Sequence, residues 1–416
     1  MLHKKRLFLT ALSGTMVEYF DYALYGFSAA IIASHFFPSQ DTTVSLIKTF
    51  AVYATGALAK PLGAIIFGRL GDMLGRKVSL RYSMIGIAIP TTAIGLLPGY
   101  HDWGWISPAA LLILRFTQGI FLAGEYDGVV VYILEHVKKS QRCFANSLIG
   151  LSCMVGIHLA ATTVATLDVL QLPDWAWRLP FLLGGFMGIA TLFFRRHLEE
   201  TPAFTANNDL DQSGFRDILQ DHWPALLANF LICGAAGGVY HFYIVFWPTY
   251  ASSVLNIFSG SQATFAMSIM TFIMAATSPI AGIIGDRIGA VRLIMLGSIS
   301  LLAMTLCNIA CLILGTLPMW LLAVTTCCIP LFIVPGHVYV MDKLPVRVRY
   351  RGMSLGHTLA SVTISASTPF FCMLLWQGTN ISWVPLCYFA AVISLMPMAL
   401  TVGARSRKKA SSYHPS

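Results

Sequence analysis

The chain has 416 residues, of which 56% are hydrophobic and only 11% are charged, and its formal net charge is +9. Soluble globular proteins carry about a quarter of their residues as Asp, Glu, Lys or Arg, so this composition leaves too little polar surface for a protein dissolved in water. A bilayer core about 30 Å thick needs about 20 apolar residues per crossing. The composition therefore predicts an all-α polytopic membrane protein.

Twelve apolar stretches have the length of a membrane span. They cover about 8–35, 45–68, 78–98, 106–134, 143–166, 176–195, 223–251, 261–285, 291–314, 318–341, 352–376 and 381–403. The longest polar stretch lies between the sixth and the seventh. We therefore predict an N-terminal six-helix bundle over 1–195, a linker over 196–222, a C-terminal six-helix bundle over 223–403 and a short tail over 404–416.

The basic residues predict the orientation of the spans. All of the 27 Lys and Arg residues fall at alternate ends of the apolar stretches, except Lys48, Lys60, Arg115 and Arg178. By the positive-inside rule, both termini and the linker are cytoplasmic, which requires an even number of spans. The net positive charge is thus a topology signal, and it gives no reason to predict nucleic-acid binding.

One motif occurs twice, at equivalent places in the two predicted bundles. Residues 68–77 read GRLGDMLGRK after the second span, and residues 282–292 read GIIGDRIGAVR after the eighth. Glycines allow a tight turn and close helix approach, and an Asp in such a turn can cap the helix that follows or pair with basic neighbours. We predict that these loops form a cytoplasmic gate. Its residues are Gly71, Asp72, Gly75, Arg76, Gly285, Asp286, Arg287 and Gly289.

Charged side chains inside predicted spans are costly and therefore mark functional sites. Glu18 and Asp21 in the first span and Arg115 in the fourth fall near the membrane midplane. Two carboxylates near an Arg can form a proton relay, and we predict that these three residues couple transport to protons. The alternative is a structural ion pair between Arg115 and one of the carboxylates.

Other candidates line a predicted substrate cavity. Lys60 and Glu125 lie nearer the cytoplasmic ends of their spans. At that depth the sequence is equally consistent with ion pairing, with snorkelling of the side chain and with contact to the substrate. The C-terminal bundle offers Tyr240 and Tyr243 in the seventh span, after glycines that permit bending. No residue pattern indicates a catalytic group, a metal site or a tightly bound cofactor.

Several stretches carry a family resemblance. They are EYFDYALYGF at 18–27, AKPLGA at 59–64, RFTQG at 115–119 followed by GEY at 124–126, WRLPF at 177–181, LEETPAF at 198–204 and PVRVRYRG at 345–352. Together they resemble the metabolite:proton symporter family of the major facilitator superfamily. The resemblance implies two pseudo-symmetric six-helix bundles, Tyr25 and Gln118 in the cavity, and proton-driven import of an organic acid or zwitterion, such as citrate, 2-oxoglutarate, shikimate, proline or betaine.

The chain also departs from the family pattern. Tyr19 and Tyr126 replace two tryptophans, Lys60 replaces an Arg, Asp127 adds an acid, and Met73 stands where a basic residue is usual. The residues after about 403 contain no heptad repeat, which argues against the osmosensing branch with its C-terminal coiled coil.

Three alternative functions differ from this import hypothesis. One is import of a bulkier carboxylate ligand such as a citrate-based siderophore. Another is proton-driven efflux, although the fifth span lacks the proline of the usual antiporter motif. The third, a membrane-embedded aspartyl enzyme, would need two acids close enough to share a proton. We expect a monomer in a bacterial inner membrane, with lipid, substrate and protons as partners and a homodimer as the alternative state.

Overall fold

A computed structural model describes residues 2–206, 215–257 and 260–411, and every regular element within these ranges is helical. Residues 207–214 of the predicted linker and 412–416 of the predicted tail lie outside the described residues. The α-helices before residue 207 are α1 Leu2–Phe27, α2 Ala29–Phe36, α3 Thr42–Met73, α4 Arg76–Leu96, α5 Tyr100–Trp103, α6 Ile106–His136, α7 Arg142–Val169, α8 Arg178–Arg195 and, within the predicted linker, α9 Pro202–Thr205.

The second half of the chain contains helices of similar length. They are α10 Phe215–Asp221, α11 Trp223–Tyr240, α12 Trp247–Ser253, α13 Gly260–Ile288, α14 Ala290–Ile313, α15 Met319–Met341, α16 Arg349–Ala360, α17 Thr368–Thr379 and α18 Val384–Ser411. The π-helical segment His241–Phe246 joins α11 to α12. A second π-helical segment, Ser361–Ser365, follows α16 and precedes α17. The predicted seventh and eleventh spans are therefore continuous helical paths with a local change of winding.

Ten helical stretches among the described residues are long and apolar enough to cross a membrane. The helices α1 and α4 are not among these ten. They contain 26 and 21 residues, which at about 1.5 Å per residue is enough to cross the apolar core. Charged residues lower the hydropathy of both, among them Glu18 and Asp21 in α1 and Arg81 in α4. The two helices account for the difference from the twelve predicted spans.

The chain divides into two compact units. Unit 1 comprises Met1–His136 and Ser152–Asp211, and unit 2 comprises Val137–Leu151 and Gln212–Ser416. The first ten residues of α7 thus pack with the second half of the chain, although the sequence assigns the whole of α7 to the N-terminal bundle.

Within unit 1, α3 and α6 approach each other through glycines. A Cβ added at Gly119 would overlap the carbonyl group of Gly56, and one added at Gly63 would overlap the carbonyl group of Ile120. Such small-residue contacts allow two membrane helices to pack backbone against backbone. This close contact determines where the polar residues of α6, including Arg115, lie.

Replacing Gly119 by Ala should therefore destabilise unit 1. The added methyl group meets backbone atoms that cannot rotate away, and overpacking of this kind costs about 1–3 kcal/mol. Gly26→Ala in α1 is the matched control, because a Cβ there meets nothing within 4 Å. Thermal unfolding of the purified protein should show a lower midpoint for Gly119→Ala only, and equal midpoints would contradict this account of the α3–α6 contact.

Candidate functional site

Asp21 in α1 lies in a hydrogen-bonded network buried inside unit 1. Thr91 Oγ1 of α4 donates to Asp21 Oδ1 at 2.6 Å, and Gln118 Nε2 of α6 lies 3.1 and 3.0 Å from the two carboxylate oxygens. Arg115 Nη1 is 4.0 Å from Asp21 Oδ2 and donates to Gln118 Oε1 at 2.8 Å. Three helices thus hold one carboxylate, and the amide of Gln118 links it to the guanidinium group.

Tyrosine rings cover the other side of Arg115. The guanidinium carbon lies 4.2 Å from the ring centroid of Tyr25 and 5.4 Å from that of Tyr53. The two rings stack at 5.7 Å. Tyr25 also donates to the Thr49 carbonyl at 3.2 Å, which fixes its orientation. Cation–π contact is strongest where water is excluded, and Arg115 is only 2% exposed.

Lys60 lies at the end of the same row of aromatic rings. Its ammonium group is 5.0 Å from the centroid of Tyr22, whose ring is 5.2 Å from that of Tyr53. Lys60 and Tyr22 are both half-buried. No carboxylate of the described residues lies within ion-pair distance of Lys60. Lys60 acts through space on the carboxylate of Glu18.

Glu18 lies one turn before Asp21 in α1 and has different surroundings. The side chain is buried, and its Oε2 atom has no hydrogen-bond partner among the described residues. The charged groups that act on it through space are Glu125, Lys60, Asp127 and Arg195. The structure therefore does not place Glu18 in the hydrogen-bonded network that surrounds Asp21.

Glu125 in α6 forms a buried ion pair with Arg195 at the end of α8. Arg195 Nη2 pairs with Glu125 Oε1, and Arg195 Nη1 donates to Oε2 at 2.7 Å. Ser83 in α4 also donates to Oε2 at 2.7 Å. Gly14 in α1 leaves the space for this pair, because a Cβ there would overlap the Arg195 guanidinium group. Both carboxylate oxygens of Glu125 thus already have partners within unit 1.

From the sequence alone, Arg195 contributes only to the positive-inside pattern. It is fully buried and forms a two-point contact with Glu125. The available signal is that a buried Glu requires a cation at its own depth, and the sixth predicted span ends in two arginines at the membrane side nearest Glu125. Thr91 and Tyr53 carry no comparable signal, because a lone Thr or Tyr in a span is ordinary.

The first predicted gate loop is a compact charged cluster at the start of α4. Arg76 is fully buried. Its guanidinium donates to the Gly71 carbonyl at 2.7 Å and to Glu135 Oε2 at 3.2 Å, and lies 3.5 Å from Asp72 Oδ1. Gly75, at φ +102°, adopts a left-handed conformation that favours glycine. This places the start of α4 directly after the turn.

The cap of α4 comes from the predicted linker and not from the loop itself. Glu200 Oε1 and Oε2 accept hydrogen bonds from the backbone N–H groups of Arg76 and Lys77, at 3.0 and 3.1 Å. A carboxylate at a helix N-terminus satisfies free N–H groups and complements the helix dipole. The sequence predicts that Asp72 can cap this helix, whereas the structure gives this contact to Glu200 and places Asp72 beside Arg76.

The contacts of the second predicted gate loop also differ from those predicted. Asp286 accepts hydrogen bonds from the backbone N–H groups of Cys143 at 2.9 Å and Phe144 at 3.2 Å. It therefore caps α7 within unit 2 and not the helix that follows it. A Cβ on Gly285 would lie 2.8 Å from Cys143 Cβ. Arg287 and Gly289 are exposed, and Gly289 has a φ of +89°.

The aromatic candidates of unit 2 belong to a packed cluster around the π-helical segment of the seventh span. Tyr243 is 1% exposed, and its ring lies 5.3 Å from Phe389 and 6.4 Å from Trp247. Tyr240 is half-buried beside His241. Deeper in this unit, His337 Nε2 lies 3.7 Å from Cys233 Sγ. Tyr240 is thus the more accessible of the two predicted tyrosines.

Solved structures of known proteins share the fold of this chain. The proton:xylose symporter XylE superposes with a TM-score of 0.75 at 14% identity, covering 94% of each chain. FucP in its outward conformation superposes with a TM-score of 0.72 at 12% identity, covering 95% of this chain and 98% of that one. The fold is that of the major facilitator superfamily, which confirms the predicted all-helical architecture of two six-helix bundles.

Sequence relatives identify the family. The family model described as "Sugar (and other) transporter" matches residues 7–229. The proline/betaine transporter of Salmonella typhimurium is 30% identical over 94% of this chain and 82% of its own length. The glycine betaine/proline/ectoine/pipecolic acid transporter OusA of Dickeya dadantii is 29% identical over 94% and 81%. The chain belongs to the sugar (and other) transporter family and, within the major facilitator superfamily, to the metabolite:proton symporters.

This assignment confirms the family resemblance found in the sequence. It also decides between a transporter and an enzyme. The relatives and the family are transporters, so the chain is a multi-pass membrane transporter and not an enzyme. The alternative of a membrane-embedded aspartyl enzyme is excluded.

The ion pair between Glu125 and Arg195 predicts a specific stability pattern. Arg195→Met should lower the thermal unfolding midpoint strongly, because removal of one partner leaves a buried charge uncompensated at a cost of about 3–5 kcal/mol. The double variant Arg195→Met with Glu125→Gln removes both charges and should recover most of that loss. Exposed Arg69→Met serves as the control. A double variant as unstable as the single one would contradict the pairing.

Proposed function

We propose that this protein is a secondary active transporter that imports a small polar metabolite together with protons by alternating access. The observation that carries the proposal is the buried group formed by Asp21, Gln118 and Arg115 in the membrane-spanning part of unit 1. A carboxylate and a guanidinium held together in a water-poor site respond to protonation, because a neutral Asp21 no longer attracts Arg115. Structural ion pairing alone would not require the link through Gln118.

Proton coupling is proposed for Asp21, Glu18 and Arg115 together. All three are at most 5% exposed. Protonation of a carboxylate removes a charge that neither lipid nor packed helices solvate. Movement of Arg115 away from a protonated Asp21 would release the tyrosine rings that pack on the guanidinium group. Coupling between proton and substrate would follow from this shared Arg.

The substrate we propose is a small carboxylate-bearing solute, either a zwitterion or an organic acid. The relatives are named as transporters of proline, betaine, ectoine and pipecolic acid, and the sequence resemblance implies zwitterions and organic acids alike. A carboxylate is common to both classes. The half-buried Lys60 ammonium has no ion-pair partner among the described carboxylates, and it is the proposed recognition group. Tyr25, Gln118, Tyr240 and Tyr243 remain proposed cavity residues.

The gate residues are proposed to open and close access from the cytoplasm. Arg76, Asp72 and Glu135 in one unit, and Asp286 on the start of α7 in the other, form polar contacts that can break and reform. The proposed setting is a bacterial inner membrane with both termini in the cytoplasm, as the distribution of basic residues predicts. Monomeric function is part of the same proposal.

Uptake into proteoliposomes tests this proposal. Purified protein should accumulate one class of compound from a panel of glycine betaine, proline, citrate, 2-oxoglutarate and shikimate, only while an inward proton gradient is present. Asp21→Asn should reduce this uptake about 100-fold or more, because Arg115 loses its counter-charge. Asp174→Asn, at an exposed position in a short 3-10 turn, is the matched control. Accumulation that survives both Asp21→Asn and collapse of the gradient would overturn proton coupling through this group.

Lys60→Met should selectively weaken binding of the solute identified by that panel. Loss of a charge-assisted contact with a carboxylate is worth about 1.5–3 kcal/mol, so KM should rise about tenfold or more while kcat changes little. Lys60→Arg keeps the charge and should recover much of the affinity. Initial rates across substrate concentrations measure both constants, and an unchanged KM in Lys60→Met would remove Lys60 from the site.

A further inference from the structure

The dipeptide Gly-His occurs twice in the chain, both times in a membrane-spanning helix of unit 2. The first pair, Gly336 and His337, lies in α15, and the second pair, Gly356 and His357, lies in α16. Neither histidine has a role in the transport mechanism proposed above. Their surroundings within unit 2 therefore call for a separate explanation.

Each of these glycines lets its helix lie directly against α11. A Cβ added at Gly336 would be 2.6 Å from Ile232 Cγ2, and one added at Gly356 would be 2.5 Å from Asn229 Nδ2. Small residues at such contacts allow close helix approach. Asn229 and Ile232 lie within one turn of α11, and Cys233 directly follows Ile232. The two glycines thus bring both Gly-His pairs to the turn of α11 that carries a cysteine.

Asn229 also fixes the position of α16 against α11. Its Nδ2 atom donates to the backbone carbonyls of Gly352 at 3.1 Å and Met353 at 2.7 Å. These carbonyls lie one turn before His357 in α16. The position of His357 beside α11 is therefore set by a buried hydrogen bond as well as by the glycine contact.

Three side chains with metal-binding atoms converge at this point. His337 Nε2 lies 3.7 Å from Cys233 Sγ, and a ring nitrogen of His337 lies within 4.8 Å of one of His357. The two imidazole rings meet edge to face, with centroids 5.8 Å apart. Cys233 and His337 are buried, and His357 is half-buried. The sequence shows no ligand spacing typical of zinc, because the three side chains come from three helices.

The donor atoms and their distances fit Zn²⁺. A tetrahedral ion with bonds of about 2.0–2.1 Å to nitrogen and about 2.3 Å to sulfur holds N and S about 3.5 Å apart and two N atoms about 3.4 Å apart. The separation of His337 from Cys233 already matches the first value, and a small rotation of His357 would give the second. Imidazole and thiolate are ligands that suit Zn²⁺, whereas Mg²⁺ and Ca²⁺ prefer oxygen.

We propose that Cys233, His337 and His357 bind one Zn²⁺ ion, with water as the fourth ligand, and that the ion clamps α11, α15 and α16 together. Zn²⁺ takes cysteine as thiolate. Binding therefore breaks the S–H bond through which Cys233 donates to Asn229 Oδ1 at 3.3 Å, and the proton passes to water. The binding site is independent of the proposed function. Slowing of transport by the clamp rests on that function, because alternating access requires helices to move.

Calorimetric titration of the purified, tag-free protein with Zn²⁺ tests the site directly. We expect one tight Zn²⁺ per chain and no such binding of Mg²⁺. His337→Gln and His357→Gln should each weaken binding about 100-fold or more, since loss of an outer-shell partner alone already costs about 10–100-fold. His241→Gln is the matched control, because its ring contacts the Gly237 carbonyl in the same unit. Binding that is unchanged in both ligand variants would overturn the proposal.

Co²⁺ serves as a spectroscopic probe for the cysteine. Coordination of Co²⁺ by a thiolate gives a near-ultraviolet charge-transfer band that imidazole ligands alone do not give. We expect this band in the wild type and in Cys372→Ser, which removes another buried thiol of unit 2, and we expect its loss in Cys233→Ser. A band that persists in Cys233→Ser, or a wild type without one, would remove Cys233 from the site.

The clamp is tested by thermal unfolding and then by uptake. A ligand that binds only the folded state raises the unfolding midpoint, so Zn²⁺ should raise the midpoint of the wild type and leave that of His357→Gln unchanged. Zn²⁺ should also slow solute uptake into proteoliposomes, and EDTA should restore it. Equal midpoints with and without saturating Zn²⁺, or uptake that ignores it, would overturn the clamp. Uptake that fails even without Zn²⁺ would count against the proposed function and not against the binding site.

A variant that keeps a metal ligand distinguishes lost coordination from misfolding. His357→Cys replaces an imidazole by a thiolate that Zn²⁺ also accepts. We expect it to bind Zn²⁺ within about tenfold of the wild-type affinity, whereas His357→Gln does not. Equal loss of binding in both variants, with unfolding midpoints in the absence of metal equal to that of the wild type, would contradict a direct role of His357.

Discussion

A charge inside a bilayer has to be paired or fully hydrogen-bonded, because neither lipid nor packed helices solvate it as water does. In unit 1 this requirement acts on carboxylates of α1 and α6. Glu125 meets it with the guanidinium of Arg195 and the hydroxyl of Ser83. Asp21 meets it with Thr91, Gln118 and a more distant Arg115. These contacts join α1, α4, α6 and α8, so the positions of four helices depend on them.

The backbone N–H groups at the starts of helices also require hydrogen-bond partners. The first N–H groups of any helix lack intrahelical partners, and at the starts of α4 and α7 carboxylates accept their hydrogen bonds. Glu200 receives the N–H groups of Arg76 and Lys77, and Asp286 receives those of Cys143 and Phe144. In both cases the acid comes from a distant part of the sequence. Polar contacts at helix starts therefore fix chain segments that no hydrophobic pattern would bring together.

The contrast between local hydrophobic patterns and polar contacts between distant segments explains what could be predicted from the sequence. Span number and helical class follow from local properties, namely the length of apolar stretches and the alternation of Lys and Arg along the chain. The proximity of Asp21 and Arg115 was also predictable, because both lie at midplane depth. For the partner of Glu125 the sequence offers two arginines at a similar depth, Arg195 and Arg196, but depth along a helix does not say which of them faces Glu125. For the same reason the repeated Asp residues did not reveal that Asp286 caps α7 and that Glu200, not Asp72, caps α4.

The π-helical segments His241–Phe246 and Ser361–Ser365 have a consequence for comparing this chain with its relatives. A π turn usually arises from one residue added to an α-helix, and each residue of an α-helix turns the chain by about 100°. Every side chain after the segment, Trp247 and Tyr250 included, therefore points about 100° away from the direction that an uninterrupted helix would give it. An ungapped alignment to a homologue with a regular seventh span would pair residues that face different neighbours from position 247 onwards. Transfer of residue roles between such proteins requires a one-residue shift at this point.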